Sequence, residues 1–338
     1  MDDATQNNKD NIKKDKLNKI DKKYKLSTEL KFAKKTRELE EFGAIPYNKY
    51  AECELCIHTS ETRPMYEYNG KKFCIECINA LRFPRNFEKM SEELFNHLRV
   101  QKQKNNKYDC ILGFSGGKDS VVALYLLVND LKLKPLCVTV DNGYMADEAM
   151  ENCKNIAKYF KVDWLVLNRD YTKFFNKMIE RGESPCRICS DMNMHELWHF
   201  ARQTNITTIV TGHELPFGTT ALRNMKKDIT LVRLLVGYKL SEKERYEILD
   251  NLPWNKPDLG GYTTNCLVLG YALQEFYKRR NISFEYDRVS AMIRYGLMTK
   301  EEALSSLECP EVPLEVLKEL KNRGLNVKIE KVEKSNNI

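Results

Sequence analysis

The chain has 338 residues, 42% of them hydrophobic and 30% charged, ordinary values for a soluble globular protein with a sizeable core. Its apolar runs, such as 121–128, are too short to span a bilayer, and the N-terminus has no apolar run before a small-residue cleavage site. No membrane-spanning helix and no secretory signal are therefore expected, and the expected compartment is the cytoplasm. The net charge is +7, and residues 1–46 hold 12 Lys and Arg against 9 Asp and Glu. That balance allows a nucleic-acid partner without demanding one.

Residues 1–28 are rich in Lys, Asn and Asp, with Ile12, Leu17, Ile20 and Leu26 almost their only large apolar side chains. Such a stretch cannot bury a core, so 1–46 reads as a polar, partly disordered tail, more helical over 29–45. Next come Cys53-x-x-Cys56 and Cys74-x-x-Cys77, 17 residues apart. Between them, Met65–Tyr68 reads as a strand entering a turn at Asn69-Gly70. Two CxxC pairs bracketing a short hairpin have the spacing of a tetrahedral four-cysteine Zn²⁺ ribbon, expected over 47–82. A closed site of this kind is structural, because the metal lets a module too small for its own core fold. His58 is a minor competitor as ligand. Residues 83–107 read as a polar helical linker.

From Tyr108 the pattern changes to alternating strands and helices. Strands are expected at Cys110–Phe114, Leu136–Val140, Trp164–Leu167, Thr208–Thr211 and Leu231–Leu235. Helices are expected over Asp119–Asn129, Ala146–Phe160, 172–181 and 190–203. This alternation predicts an α/β fold, a parallel sheet with helices on both faces, over 108–250. Ser241 with Glu244 and Thr299 with Glu302 form capping boxes. Residues 251–338 read as a helical C-terminal region, with helices over Cys266–Arg280, Asp287–Tyr295, Thr299–Leu307 and Val312–Arg323.

Gly113-Phe114-Ser115-Gly116-Gly117-Lys118-Asp119-Ser120 joins the first strand of this domain to its helix. Gly116 and Gly117 let backbone approach an anion without a side-chain clash. The first amides of the helix are unpaired and carry the positive end of its dipole. Ser115 and Ser120 add hydroxyls, and Lys118 adds a positive charge. The spacing is shorter than G-x-x-x-x-G-K-S/T, and Asp119 follows the Lys. The string resembles the SGGxDS loop of the PP-loop (ATP-pyrophosphatase) superfamily, whose members split ATP between the α and β phosphates. That resemblance implies a Rossmann-like fold, ATP with Mg²⁺ on Gly113–Ser120, and catalytic roles for Lys118 and Asp119. It also implies that the second strand end, with Val140 and Asp141, lines the adenosine pocket, and that Gly212 and His213 match the family's T-G-H segment. After His213 the chain reads Glu214-Leu215-Pro216-Phe217, where tRNA-acting members commonly carry paired aspartates. Glu214 is a candidate substitute for that carboxylate function.

Eleven cysteines is a high count for a cytosolic chain, and CxxC pairs in a reducing compartment are more often metal or redox sites than disulfides. Cys186-x-x-Cys189 precedes a helix, and Cys266 stands alone far along the chain. One CxxC plus one remote Cys resembles the tRNA 2-thiolation branch of the superfamily. There three thiolates hold a 4Fe-4S cluster and leave one iron open to an exogenous sulfide, whereas four thiolates would saturate it. An open Zn²⁺ site, metal-free persulfide or disulfide exchange, and an ordinary buried Cys266 are the alternatives. His195 and His199, four apart, read as a packed helix face before a ligand pair.

The leading expectation is an ATP-dependent sulfurtransferase. It adenylates a substrate oxygen, releases pyrophosphate, and replaces the oxygen with sulfur delivered at Cys186, Cys189 and Cys266. Its expected partners are ATP, a sulfur donor (sulfide or a carrier protein), and a tRNA base or small metabolite as acceptor, and a homodimer is allowed. An N-acetyl sugar amidotransferase, which resembles the same loop and zinc module, is the first rival. A zinc-ribbon RNA-binding protein with a nucleotide-sensing loop is the second. Only Cys309 remains near the C-terminus, so the C-terminal zinc ribbon of some tRNA-thiolating relatives is missing.

Overall fold

The computed structural model describes residues 37–104, 106–213, 220–226, 228–260 and 263–328. They form two compact units that divide between Arg85 and Asn86. Among these residues no helix is long and apolar enough to cross a membrane.

The first unit is a three-stranded antiparallel sheet, β1 (Ile45–Tyr47), β2 (Met65–Tyr68) and β3 (Lys71–Cys74), followed by α1 (Ile75–Arg82). The Asn69-Gly70 turn forms as expected, with φ of 51° and 74°. Both residues are left-handed, which is the conformation that lets a two-residue turn match the strand twist. The small core includes Leu39, Met65, Tyr66, Ile75 and Ile78 around the cysteines.

The second unit opens with α2 (Phe87–Gln103), capped by the Asn86 side chain, which accepts from the Lys89 amide. Its sheet runs in the order β6-β5-β4-β7-β9-β8: Trp164–Asn168, Pro135–Asp141, Cys110–Gly113, Thr208–Thr211, Thr230–Arg233 and Leu222–Asn224. The first five are parallel, and β8 pairs antiparallel with β9 at the edge. Alternate residues of one strand are buried on opposite faces. Leu112, Val210 and Val232 enter one core, while Ile111, Ile209 and Leu231 enter the other. A sheet covered on both faces reads as a continuous apolar run, which is what these strands show.

The crossover helices are α3 (Lys118–Tyr125), α4 (Asp147–Phe160), α5 (Thr172–Arg181) and α6 (Cys186–Thr204), followed by the short α7 (Leu234–Tyr238). The remaining helices are α8 (Glu242–Leu249), α9 (Leu267–Arg280), α10 (Tyr286–Arg294), α11 (Lys300–Ser306) and α12 (Leu314–Asn322). Both expected capping boxes, at Ser241 and Thr299, form.

Three expectations need correction. The helix after the loop passes into a π turn over Leu126–Asp130, where Leu131 N reaches back to Leu126 O. The apolar run at 231–235 is split, with Arg233 ending β9 and Leu234 opening α7, because strand and helix residues there are equally buried and periodicity cannot separate them. The Cys186-x-x-Cys189 pair does not precede a helix. It is the first turn of α6, with Pro185 before it and the Cys189 amide donating to Pro185 O.

Candidate functional site

β5 and β7 flank the central strand β4 and lead their connections to opposite sides. The carboxyl end of β4 is therefore the switch point at which open α/β sheets bind ligands. The loop 113–120 lies there. Gly116 has φ of +68°, and a Cβ on it would stand 1.9 Å from Ala149 O, so no side chain fits. Its carbonyl accepts from Trp254 Nε1 at 2.9 Å, which fixes the loop from the far side. Ser120 Oγ donates to Gly117 O at 2.9 Å and accepts from Ser115 N at 3.2 Å, closing the loop on itself. Gly212 packs the end of β7 against this loop, since a Cβ there would lie 2.6 Å from Asp119 O.

A cavity of about 350 Å³ opens at this point. Gly113, Phe114, Ser115, Asp119 and Ser120 line it together with Val140, Gly212 and His213. Cys186, Cys189 and Cys266 line the same cavity, brought in by the start of α6 and the residue before α9. The loop and the three cysteines are thus two walls of one space.

Four expected site residues do not line the cavity: Gly116 and Gly117, whose backbone is packed against Ala149 and Thr264, and Lys118 and Asp141. Lys118 Nζ pairs with Glu242 Oε1 at 3.0 Å and lies 5.5 Å over the Tyr246 ring, outside the cavity lining. Asp141 accepts from the Gly143 amide at 2.9 Å and is likewise outside, while its neighbour Asn142 lines the cavity. Asp119 faces the cavity and is held by Arg245 Nη1 at 2.9 Å. Glu214 lies outside the described residues, as do 1–36 of the tail and Gly261-Tyr262.

Burial governs the protonation of these sulfurs. Burial pushes the Cys189 thiol up to about 12, with Cys266 adding to the shift and the Asn142 side chain opposing it. Burial, then the neighbouring Cys266, raises Cys186 well above the usual thiol range, and burial raises Cys266. Without a cation these are thiols at neutral pH. A bound metal favours their thiolates, because ligation requires deprotonated sulfur. Burial, then Arg233, lowers His213 below the ordinary imidazole range, while Asp119 opposes this. His213 is therefore neutral at pH 7.

Sequence reasoning missed several cavity residues. Asn142 Nδ2 lies 3.6 Å and Asn193 Nδ2 3.9 Å from Cys189 Sγ. The Asn193 Oδ1 and Thr211 Oγ1 atoms are buried and have no protein partner, and both residues line the cavity. An unsatisfied buried polar atom at a cavity wall points to a ligand or water. Asn193, four positions after Cys189 on α6, was the one findable by helical spacing. His195 and His199 sit on the exposed part of α6, Nε2 atoms 3.1 Å apart, and do not line the cavity.

In the first unit, the ligand atoms of Cys53, Cys56, Cys74 and Cys77 all lie within 4.8 Å of one another, and all four residues are buried. Cys56 Sγ and Cys74 Sγ are 3.6 Å apart. Sulfurs at tetrahedral vertices around one Zn²⁺ would be about 3.8 Å apart, from a bond of about 2.3 Å. The donor set fits a single tetrahedral ion. Neighbouring thiols raise Cys74 and Cys77 and lower Cys53, the response of crowded sulfurs that cannot all ionise without a cation. His58 is buried, but its Nδ1 is 3.1 Å from Thr62 Oγ1 and it is outside the ligand group. Among the described residues this is the one group of three or more ligating atoms so close together.

The family model described as NAD synthase matches residues 90–219. A protein of Methanocaldococcus jannaschii, "Uncharacterized protein MJ1599", is 52% identical over 275 residues, covering 81% of this chain and 99% of that protein. The tRNA-cytidine(32) 2-sulfurtransferase 1 of Francisella tularensis is 29% identical over 128 residues, covering 34% of this chain and 48% of that enzyme. The match therefore spans about half the length of the sulfurtransferase. Among solved structures, the U34-tRNA thiolase NcsA from Methanococcus maripaludis with its 4Fe-4S cluster aligns with a TM-score of 0.37 and 17% identity, over 76% of this chain and 89% of that one. A TM-score this low bears on neither the chemistry nor the substrate of this chain.

Proposed function

This chain belongs to the PP-loop superfamily and to the family of M. jannaschii MJ1599, and from that premise we propose that it is a cytoplasmic ATP-dependent sulfurtransferase acting on a tRNA base. The observation that carries the reading is the shared cavity, with the phosphate loop on one wall and Cys186, Cys189 and Cys266 on the other. The partial match to a tRNA-cytidine 2-sulfurtransferase supports the choice of acceptor.

In this reading ATP lies with its phosphates on Ser115–Ser120. The acceptor oxygen attacks the α phosphorus, the α–β bond breaks, and pyrophosphate leaves. The loop amides and the Ser115 and Ser120 hydroxyls meet the developing negative charge with dipoles already in place. Lys118 would leave Glu242 for the leaving phosphates. Asp119, held by Arg245, is the acidic side chain in position to meet Mg²⁺ carried by the nucleotide. Neutral His213 is suited to accept or pass a proton at the cavity wall. A sulfide then attacks the activated carbon, AMP departs, and C=S remains. Cys186, Cys189 and Cys266 would hold a 4Fe-4S cluster, which when bound presents sulfide as the nucleophile. Asn142 and Asn193 orient the Cys189 sulfur. The four cysteines of the first unit would hold Zn²⁺ as a structural ion. The zinc task falls to the expected module at 47–82, and the sulfur-transfer task to the module at 108–250 together with Cys266 of the C-terminal region.

The test is reconstitution of anaerobically purified protein with ATP, sulfide and tRNA from cells lacking the gene. A single thiolated nucleoside should form, with one pyrophosphate released per sulfur incorporated. Lys118→Ala should slow both by about 100-fold or more, the scale of losing one charge-stabilising contact. A colourless protein that incorporates nitrogen from ammonia instead would replace this reading with the amidotransferase one.

A further inference from the structure

The cavity's two walls are joined by one short segment, 263–266. The backbone N–H of Lys118, the first of α3, donates to Thr264 Oγ1 at 3.0 Å across 146 positions of sequence. Thr264 is buried, and the Cβ of a residue at 117 would stand 3.0 Å from the same oxygen. The phosphate loop and the segment therefore meet at this hydroxyl and at the Asn265 side chain, whose Cβ would lie 3.2 Å from a Cβ at 117. Two residues on, Cys266 makes an antiparallel bridge with Met145. Asn265 O accepts from Ala146 N at 3.1 Å, and Leu267 N donates to Tyr144 O at 3.0 Å. The Cys266 amide donates to Thr263 Oγ1 at 3.2 Å. The opposing 145–147 stretch is itself braced by Arg323, which donates to Met145 O and Asp147 Oδ1, each at 2.8 Å.

The chemistry of the contact makes it responsive. Thr264 Oγ1 accepts from Lys118 and still has its own proton to give. An anion on the loop competes for the Lys118 amide, one of the first-turn donors that have no intrahelical partner. When the anion takes that amide, the Thr264 hydroxyl loses its donor and gains an acceptor. Asn265 and Cys266 follow with little slack, because the backbone between them is bonded to 144–146.

We propose that Thr264 is a positioning residue that transmits occupancy of the phosphate loop to Cys266 on the facing wall. The inference rests on the nucleotide reading above for the identity of the anion, while the contact itself does not.

Hydrogen–deuterium exchange of the full chain tests it, with Thr264→Val and Thr264→Ala removing the hydroxyl and Thr264→Ser keeping it. Without nucleotide, exchange of the Ala146, Cys266 and Leu267 amides should rise about tenfold in the Val and Ala variants and stay near wild type in the Ser variant. With ATP, wild type and Thr264→Ser should change exchange over 263–267, and the other two should not. The KM for ATP should rise about tenfold in Thr264→Val, with kcat for pyrophosphate release changed less. Wild-type exchange at 266–267 in both Thr264→Val and Thr264→Ala would overturn the proposal. So would an ATP response there that is equal with and without the hydroxyl. If wild type binds no ATP by calorimetry, the nucleotide reading fails, and the nucleotide-free arm still decides whether Thr264 holds the segment.

Discussion

Cys53, Cys56, Cys74 and Cys77 are each no more than 1% exposed, and their ligand atoms crowd within 4.8 Å. Cys186, Cys189 and Cys266 are partly exposed along a cavity. Both sets begin from a CxxC pair. In the first unit a second CxxC arrives through a hairpin only 17 residues later, which closes a tetrahedron inside a core too small to stand alone. In the second unit one cysteine arrives across a whole domain and leaves the set incomplete, facing the phosphate loop. In the proposed reading the four near sulfurs make a structural site and the three along the cavity a reactive one, because only the second leaves a position for a ligand.

Cys74→Ser puts the largest energy against this contrast. Structural zinc in small cysteine modules is bound with about 10–16 kcal/mol, so the first unit should lose its metal and become protease-sensitive across 37–85. The described residues from Asn86 onward should stay resistant. Metal analysis and limited proteolysis read this out, and an intact, metal-free first unit would break the contrast.

Gly116→Ala tests the phosphate loop that meets the same cavity as the cysteines. With a backbone carbonyl 1.9 Å from the new Cβ and φ at +68°, the loop must move. A cost of about 3 kcal/mol in urea unfolding is expected, together with loss of ATP binding by calorimetry. Cys189→Ala should do the reverse. Stability should change by about 1 kcal/mol, while sulfur incorporation falls below detection and ATP still binds. A large loss of stability there would make the inner set structural as well.

The smallest effect is on pH. Burial lowers the His97 and His213 imidazoles below the ordinary value of 6.5. Both are neutral in the folded chain, so below about pH 6.5 the unfolded chain takes up more protons. Stability should therefore be full above that pH and decline as pH falls through it. His97→Asn with His213→Asn should flatten this slope in denaturant titrations at pH 5 to 8.

Much of this was legible because it is local. The Gly113–Ser120 string follows a buried strand, the Asn69-Gly70 turn needs two left-handed residues, and the boxes at Ser241 and Thr299 close within four residues. The edge strand β8 was missed because Leu222–Asn224 is short, polar and paired on one side only. The split at Leu234 was missed because burial is continuous across it. The side chains around the cavity were harder. Nothing near Asp119 in the chain announces Arg245, and nothing near Gly116 announces Trp254.

By itself, then, the sequence determined the alternating α/β pattern, the phosphate loop and the two CxxC pairings of the first unit. Each depends on periodicity, backbone permissiveness or ligand spacing within a few residues. Only the tertiary structure decided that Cys266 shares a cavity with Cys186 and Cys189, that Lys118 rests on Glu242, and that Thr264 caps the loop. Those contacts join residues as many as 146 positions apart. They form because burying both faces of the sheet and packing the C-terminal helices bring distant segments to one strand edge, and no local pattern encodes that meeting.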